Sequence, residues 1–146
     1  MKNLSYLSSL LLILFLTACG GNGDDPIPGT ETATFRVDFS QSGDYEKYIK
    51  IFTISGGEFK YRGTNDAVPV VLSGDNLKAP TWSIEATNVE ELEISTISGF
   101  SPAETGPSTM AMKLTVYRNG VLLDEKTFNY NETTRERSEV LNYKAN

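Results

Sequence analysis

Short segments in which apolar and polar residues alternate recur after residue 32, and they constrain the fold more than any other feature. In 32–41, Phe35, Val37 and Phe39 share one side and polar residues share the other, which is typical of a half-buried strand. No segment after Cys19 keeps apolar residues at helical spacing for three turns. Strand-like segments spaced by about 8–12 residues predict an all-β fold. We expect an immunoglobulin-like, two-sheet β-sandwich of seven to eight antiparallel strands, or a small barrel, with no dependable helix.

The other long strands predicted from this alternation are 45–54, 80–87, 91–98, 110–118, 121–130 and 138–143. Two shorter segments have distinct roles: 58–62 returns after a glycine turn as the hairpin partner of 45–54, and 68–72 contains Pro69, which suits an edge strand. We expect Trp82 to be the core aromatic residue. The long segment 98–108 is predicted to be a mobile loop.

The dipeptide Asn119-Gly120 between two apolar runs is the strongest short-range signal of a β-hairpin, because a type I′ turn needs positive φ at both central residues. This turn pairs Arg118 with Val121 and Val116 with Leu123. Continuing evenly would bury Glu125 opposite Leu114 and would give Phe128 and Tyr130 the parity opposite to that of Leu123. One extra residue near Asp124-Glu125 removes both conflicts, so we predict a β-bulge there.

The only cysteine, Cys19, ends an apolar run that is too short to span a membrane. A basic Lys2, the run Leu10–Leu16 and the tetrapeptide Leu16-Thr17-Ala18-Cys19 resemble a bacterial lipoprotein signal peptide with its lipobox. The resemblance implies cleavage after residue 18 and lipidation of Cys19, and Gly20 in place of aspartate implies the outer membrane, with exposure at the surface as one option. We assign 1–18 to the signal peptide, 19–31 to a flexible tether and 32–146 to a single β-sandwich domain.

Composition excludes several classes of function. The chain of 146 residues has a net charge of −6 and no histidine. The absence of histidine excludes Ser-His-Asp and Cys-His catalysis as well as histidine metal sites. The acidic balance argues against nucleic acid as a partner. We therefore predict no enzymatic activity, no catalytic residue and no cofactor.

Three sets of residues are the candidates for a binding site. Tyr48 and Tyr117 point away from the predicted core and are weak candidates for ligand binding. Two acidic pairs lie in turns, Asp44 with Glu46 and Asp75 with Asn76. Calcium prefers clustered oxygen ligands from such loops, but no spacing matches a calcium-loop consensus. We therefore assign no metal site and keep a loop-bound calcium as a weak alternative. The acidic run Glu90, Glu91 and Glu93 is interpreted as the solvated face of a strand.

The segments Trp82–Ala86, Leu92–Ser95 and Met112–Leu123 resemble small β-sandwich lipoproteins of Bacteroidota, and share an outline with the mycobacterial MmpS accessory proteins. The resemblance implies no functional residue. We expect a non-enzymatic lipoprotein that acts as a binding or assembly module, held to the membrane through Cys19, with a glycan or an envelope protein as its partner. The alternatives are a carbohydrate-binding accessory lipoprotein, a structural or transport-accessory component of the envelope, and a glycosidase that uses two carboxylates.

Overall fold

The alternating segments form nine β-strands in a computed structural model that describes residues 31–146. The strands are β1 (Ala33–Gly43), β2 (Tyr48–Ser55), β3 (Lys60–Tyr61), β4 (Val71–Ser73), β5 (Thr81–Val89), β6 (Glu91–Phe100), β7 (Thr109–Arg118), β8 (Val121–Asn131) and β9 (Arg137–Lys144). Two single 3-10 turns, Tyr45–Lys47 and Gly74–Leu77, are the only helical elements of the described part. The predicted signal peptide and Cys19, the predicted site of lipidation, lie outside the described residues.

The nine strands form two antiparallel sheets. Sheet A has the strand order β3-β5-β1-β7-β8, and sheet B has the order β4-β2-β6-β9. The predicted all-β, two-sheet sandwich is therefore confirmed. Within residues 31–146, no helix is long and apolar enough to cross a membrane.

The core lies between the inward faces of the two sheets, as the period-2 alternation requires. Strand β1 alternates between buried and partly exposed residues along most of its length, and the predicted inward residues of β6 are fully buried. The completely buried side chains of the core include Phe35, Val37, Phe52, Leu72, Ile84, Leu92, Ile94 and Met112. Glu91 and Glu93 are exposed, which confirms the predicted solvated face of β6.

Three local predictions were wrong. The segment around Lys60–Tyr61 pairs with β5 in sheet A, not with β2 as predicted. The first residues of the predicted strand 45–54 form a 3-10 turn. Trp82 is only partly buried and lies at the margin of the core, where its ring stacks on Phe39 with centroids 4.8 Å apart. The edge position predicted for the strand after Pro69 is confirmed by β4, the outermost strand of sheet B.

The hairpin of β7 and β8 contains the predicted bulge. Arg118 pairs with Val121 as expected, but Val116 pairs with Asp124 and Tyr117 with Leu122. Leu123 is therefore the extra residue, and the predicted pairing of Val116 with Leu123 was wrong because the bulge begins one residue earlier than expected. The shift restores the parity of Phe128 and Tyr130, which are both buried.

The sandwich has two ends with different contents. At the loop end lie the β1–β2, β6–β7 and β8–β9 connections, since Gly43 pairs with Met110 and Thr109 pairs with Asn131. At the hairpin end lie the β7–β8 turn, the start of β1 and the end of β9. Two backbone contacts fix this end: Asn119 N donates to Thr34 O at 2.8 Å, and Ala145 N donates to Glu90 O at 2.8 Å.

Candidate functional site

Two carboxylates from separate loops meet at Ser108 at the loop end. Asp44 Oδ2 accepts hydrogen bonds from Ser108 Oγ at 3.3 Å and from Thr109 N at 3.2 Å. Glu132 Oε2 accepts a hydrogen bond from Ser108 N at 3.2 Å. One serine therefore joins the β1–β2 loop, which carries Asp44, to the β8–β9 loop, which carries Glu132.

Local backbone features bring these loops together. Gly43 adopts a φ of +81°, and a Cβ there would lie 2.4 Å from Thr109 O, so a glycine lets β1 turn tightly against the start of β7. Gly106 lies directly against Glu132, whose Cγ would be 2.8 Å from an added Cβ. Asn131 Oδ1 accepts hydrogen bonds from Thr133 N at 3.0 Å and from the Thr133 hydroxyl at 2.6 Å, which closes an Asx turn next to Glu132.

The site is acidic and consists of oxygen donors. Among the described residues, neither Asp44 nor Glu132 has a basic side chain within ion-pair distance. Hydrogen bonds from its own backbone N–H and from that of Ser108 hold the pKa of Glu132 below its ordinary value, so this carboxyl is ionised at neutral pH. The described residues contain no group of three or more Asp, Glu, His or Cys side chains arranged around one point. Any cation here would therefore rely on two carboxylates together with hydroxyl, backbone or water oxygens.

The other acidic candidates are arranged differently. Asp75 forms an ion pair with Lys78, with Oδ1 and Nζ 2.6 Å apart, and this contact lowers the pKa of Asp75. Its charge is thus already compensated. Glu46 lies in the 3-10 turn after Asp44, but the Asp44 side chain turns toward Ser108 and does not cap that turn. The structure therefore separates the two turn pairs: Asp44 belongs to the loop-end cluster, whereas Asp75 does not.

The two predicted ligand-binding tyrosines do not lie on one surface. Tyr48 is buried, and its ring packs edge-on against Phe100 and Tyr130 with centroids 5.4 Å and 6.2 Å apart. The expectation that Tyr48 points away from the core was wrong, because β2 turns the face that carries Tyr48 and Phe52 inward and leaves Ile49 exposed. Tyr117 is partly exposed, and the Arg36 guanidinium lies 3.6 Å from its ring centroid.

Sequence reasoning missed one buried charge beside the loop end. Lys50 is only 7% exposed and shares the inward face of β2 with Tyr48 and Phe52. Its Nζ donates to Tyr45 O and lies 5.2 Å from the Tyr45 ring centroid. Burial lowers the pKa of Lys50 to about 8, an effect that the nearby charge of Glu46 partly opposes. The inward parity of position 50 was the signal that could have identified it.

Comparison with known proteins provides the family. A family described as "PLAT/LH2 and C2-like Ca2+-binding lipoprotein" matches residues 2–144, nearly the whole chain. The chain belongs to this family. Its members are described as lipoproteins, so this chain is a lipoprotein of the cell envelope with a membrane anchor, and the description of this PLAT/C2-like family indicates no catalytic function.

Solved structures support the fold. The NMR structure of the calcium-bound form of a protein from Parabacteroides distasonis has a TM-score of 0.68 and 26% identity, over 83% of this chain and 99% of that chain. A domain of unknown function from Bacteroides vulgatus has a TM-score of 0.63 and 13% identity, over 78% and 97%. A protein of the same kind from Bacteroides ovatus has a TM-score of 0.61 and 7% identity, over 78% and 96%. At these identities the last two show the fold alone.

These findings refine the predicted resemblance. The expected likeness to β-sandwich lipoproteins of this bacterial group is confirmed. The family description adds the C2 and PLAT/LH2 likeness, which the sequence patterns did not suggest, and it names calcium, which they suggested only weakly. The MmpS outline and the immunoglobulin-like subtype stay predictions. No match is found among the curated proteins.

Proposed function

We propose that this PLAT/C2-like lipoprotein is a non-catalytic, calcium-dependent binding module, and that its calcium ion is held at the loop end by Asp44 and Glu132. One observation carries the proposal: two carboxylates that lie 88 positions apart in the sequence converge on Ser108 without a basic partner among the described residues. The calcium-bound relative from Parabacteroides distasonis supports the choice of ion.

The donor set fits a hard cation. Calcium takes six to eight oxygen ligands, and carboxylates provide one or two each. Asp44 and Glu132 supply up to four oxygens, the Ser108 hydroxyl supplies another, and backbone carbonyls or water complete the set. Nitrogen and sulfur ligands, which zinc and copper prefer, are absent from this cluster. Two charges in an exposed site predict weak affinity, with a dissociation constant of about 10⁻⁴ to 10⁻³ M, as in extracellular modules.

Calcium at this position would tie the β1–β2 loop to the β8–β9 loop. Without the ion, the two negative charges repel each other and only the hydrogen bonds to Ser108 and Thr109 hold the loops. Loops at one end of a sandwich are the usual binding surface of such domains. We infer that calcium orders this surface for a partner, and that the partner is a protein of the envelope.

We also propose which membrane holds the lipoprotein. A lipid on Cys19 and a glycine at position 20 favour anchoring in the outer membrane, with the domain either in the periplasm or at the surface. The carbohydrate-binding alternative has little support, because Tyr48 is buried and the Arg36 guanidinium covers the Tyr117 ring.

Calcium titration of matched variants tests the site. The mature chain should gain thermal stability as calcium rises through the millimolar range, because an ion that binds only the folded state stabilises it by mass action. Asp44→Asn and Glu132→Gln should each weaken calcium affinity at least tenfold. Asp75→Asn is the control, since it removes an exposed acidic turn residue whose charge is paired with Lys78.

Isothermal titration calorimetry measures the affinity of each variant for calcium, and a parallel titration with magnesium measures the selectivity of the site. If Asp75→Asn abolished calcium binding and Asp44→Asn did not, the ion would belong to the β4–β5 connection and the loop-end assignment would be wrong. If the unsubstituted chain showed no calcium-dependent change in Tm up to 10 mM, calcium dependence itself would be refuted.

A further inference from the structure

We propose that a groove beside the start of β2 binds a small organic acid, whose carboxylate contacts the Lys50 ammonium and whose apolar body packs against Tyr45 and Ile51. The groove lies between β2 and the two 3-10 turns, Tyr45–Lys47 and Gly74–Leu77. The inference concerns a different site from the proposed calcium site and does not depend on calcium.

The groove forms because β4 covers only part of β2. Strand β4 pairs with Ile51–Thr53, whereas within the described part of the chain the preceding residues, Tyr48–Lys50, pair with β6 alone. At Gly74 the chain leaves β4 with a φ of +50°, and a Cβ added there would meet open space. The resulting groove has a volume of about 680 Å³, which lies within the range of about 300–1,000 Å³ that is typical of small-molecule sites.

Lys50 is the buried charge of this groove. It lines the groove although its side chain is largely buried. An ammonium group has three N–H donors, and within residues 31–146 the hydrogen bond to Tyr45 O uses one of them. No carboxylate of these residues lies within ion-pair distance of the ammonium. Because a buried charge is costly unless it is paired and hydrogen-bonded, a ligand that supplies a negatively charged oxygen should bind here.

Hydrogen bonds hold the walls of the groove in place. Gln41, a buried residue of β1, donates through Nε2 to Leu77 O at 2.7 Å and so fixes the second 3-10 turn. On the other side, Lys47 O accepts a hydrogen bond from Ser101 N at 3.0 Å, which fixes the turn that carries Tyr45. Walls that are already fixed lower the entropic cost of ordering the site when a ligand binds.

The charges around the groove favour a ligand with a single negative charge. Lys50 supplies one positive charge without a carboxylate partner among the described residues, and Glu46, which also lines the groove, would repel a second anionic group. Lys78 lies at the rim, but it is exposed and its Nζ is 2.6 Å from Asp75 Oδ1. A phosphate group with two charges is better matched by arginine or by several cations. A monocarboxylate therefore fits this site best.

Apolar side chains determine the rest of the ligand. Ile49 and Ile51 are exposed at the rim of the groove, and the buried Leu77 lies in its wall. The Tyr45 ring centroid is 5.2 Å from Lys50 Nζ, so a carboxylate on the ammonium brings the body of the ligand next to an aromatic ring. Since removal of apolar surface from water is favourable, we expect an aromatic or branched aliphatic acid.

A second groove, beside β3, is the competing site. It has a volume of about 870 Å³ and is lined mainly by polar residues, among them Thr64, Asn65 and Thr87. Arg62 and Glu85 in its wall pair with each other, with Nε and Oε2 4.0 Å apart. None of the charged residues that line it is buried. A carboxylate would find no buried cation there, which favours the groove beside β2.

Organic acids and their neutral amides test the site on the unsubstituted protein. We would titrate the ¹⁵N-labelled mature chain with benzoate, 3-phenylpropanoate and 2-naphthoate, and in parallel with the three corresponding primary amides. At least one acid should bind with a dissociation constant below about 5 mM and shift the backbone amide resonances of Tyr45, Lys50 and Leu77. Its amide should bind at least tenfold more weakly, because it carries no charge to pair with the buried ammonium. All titrations contain EDTA, so the result does not depend on whether calcium binds at the loop end.

Matched variants locate the charge. Lys50→Met should weaken binding of the same acid at least tenfold, whereas Lys78→Met, which removes the exposed cation at the rim, should change it less than twofold. Ile51→Ser should weaken binding at least threefold, because it removes an apolar wall at an exposed position. The comparison of acid with amide does not require any variant to fold.

Four results would overturn the proposal. They are equal affinity for acid and amide, unchanged affinity of Lys50→Met, shifts confined to the groove beside β3, and no binding of any of the three acids.

Discussion

Replacing the buried Lys50 with methionine should change how the stability of the domain depends on pH. Lys50 points into the sandwich from β2, and within residues 31–146 its ammonium group donates only to the carbonyl of Tyr45. No carboxylate of the described residues lies within ion-pair distance of its ammonium group. Methionine has a similar unbranched shape and carries no charge, so Lys50→Met removes the ionisation with little change in volume.

The magnitude follows from the pKa. Burial lowers the pKa of Lys50 from 10.5 to about 8, and each unit corresponds to about 1.4 kcal/mol. The charged form is therefore disfavoured in the folded state by at most about 3 kcal/mol. Below pH 8 both states bind the proton and the full penalty is present. Between pH 8 and 10.5 the unfolded chain binds the proton and the folded chain does not, so stability rises with pH.

Urea denaturation between pH 7 and 10 measures this effect. The free energy of unfolding of the unsubstituted domain should rise by about 2 kcal/mol over that range relative to Lys50→Met. Tyrosines and other groups that titrate near pH 10 are common to both proteins, so the difference isolates position 50. Lys60→Met, at an exposed position, should behave like the unsubstituted protein. Parallel pH profiles for the unsubstituted protein and Lys50→Met would refute the burial argument.

Two backbone predictions concern the turns at the hairpin end. Gly56→Ala should destabilise the domain by at least about 3 kcal/mol, because φ is +104° and the added Cβ would lie 1.7 Å from Glu91 O. Gly63→Ala is the control. Its φ is +95° but the added Cβ meets open space, so it should cost only about 1 kcal/mol. Equal losses in chemical denaturation would contradict the close contact. Asn119→Ala should cost about 1–2 kcal/mol, since it removes the bond to Thr34 N and places alanine at positive φ, whereas Asn119→Gly should recover part of that loss. A larger loss for glycine than for alanine would contradict that reading of the turn.

The fold was predictable to the extent that it depends on local alternation. The inward residues of β1, the parity change in β8 and the bulge all follow from the period-2 geometry of a strand, because a buried glutamate or an exposed phenylalanine would violate it. The partner of the Lys60–Tyr61 strand was not predictable in this way. Its bonds go to β5, and a two-residue strand carries too little pattern to distinguish pairing with the preceding strand from pairing with a strand that follows more than 20 positions later.

The candidate calcium site was predictable only in part. Asp44 was recognised as an acidic turn residue, but the sequence paired it with Glu46, its neighbour in the chain. Glu132 was not among the sequence candidates, because no local spacing connects it to Asp44. A calcium loop within one segment has a sequence consensus, whereas a site assembled from two loops depends on strand order. Ser108, which joins the two loops, belongs to no sequence motif that would identify it.

The position of the candidate calcium site relative to the start of the sandwich follows from one strand. Strand β1 runs from Ala33 to Gly43, so the start of the sandwich and the acidic turn that follows β1 lie at opposite ends of the same strand. Eleven residues at about 3.3 Å each separate the two ends by about 35 Å. If Cys19 carries the anchor, the 13 residues between it and Ala33 can span up to about 50 Å. That reach exceeds the length of β1, so either end of the domain can face the bilayer, and the anchor does not force the loops of Asp44 and Glu132 against the lipid. A partner that requires calcium can therefore meet these loops from the aqueous side.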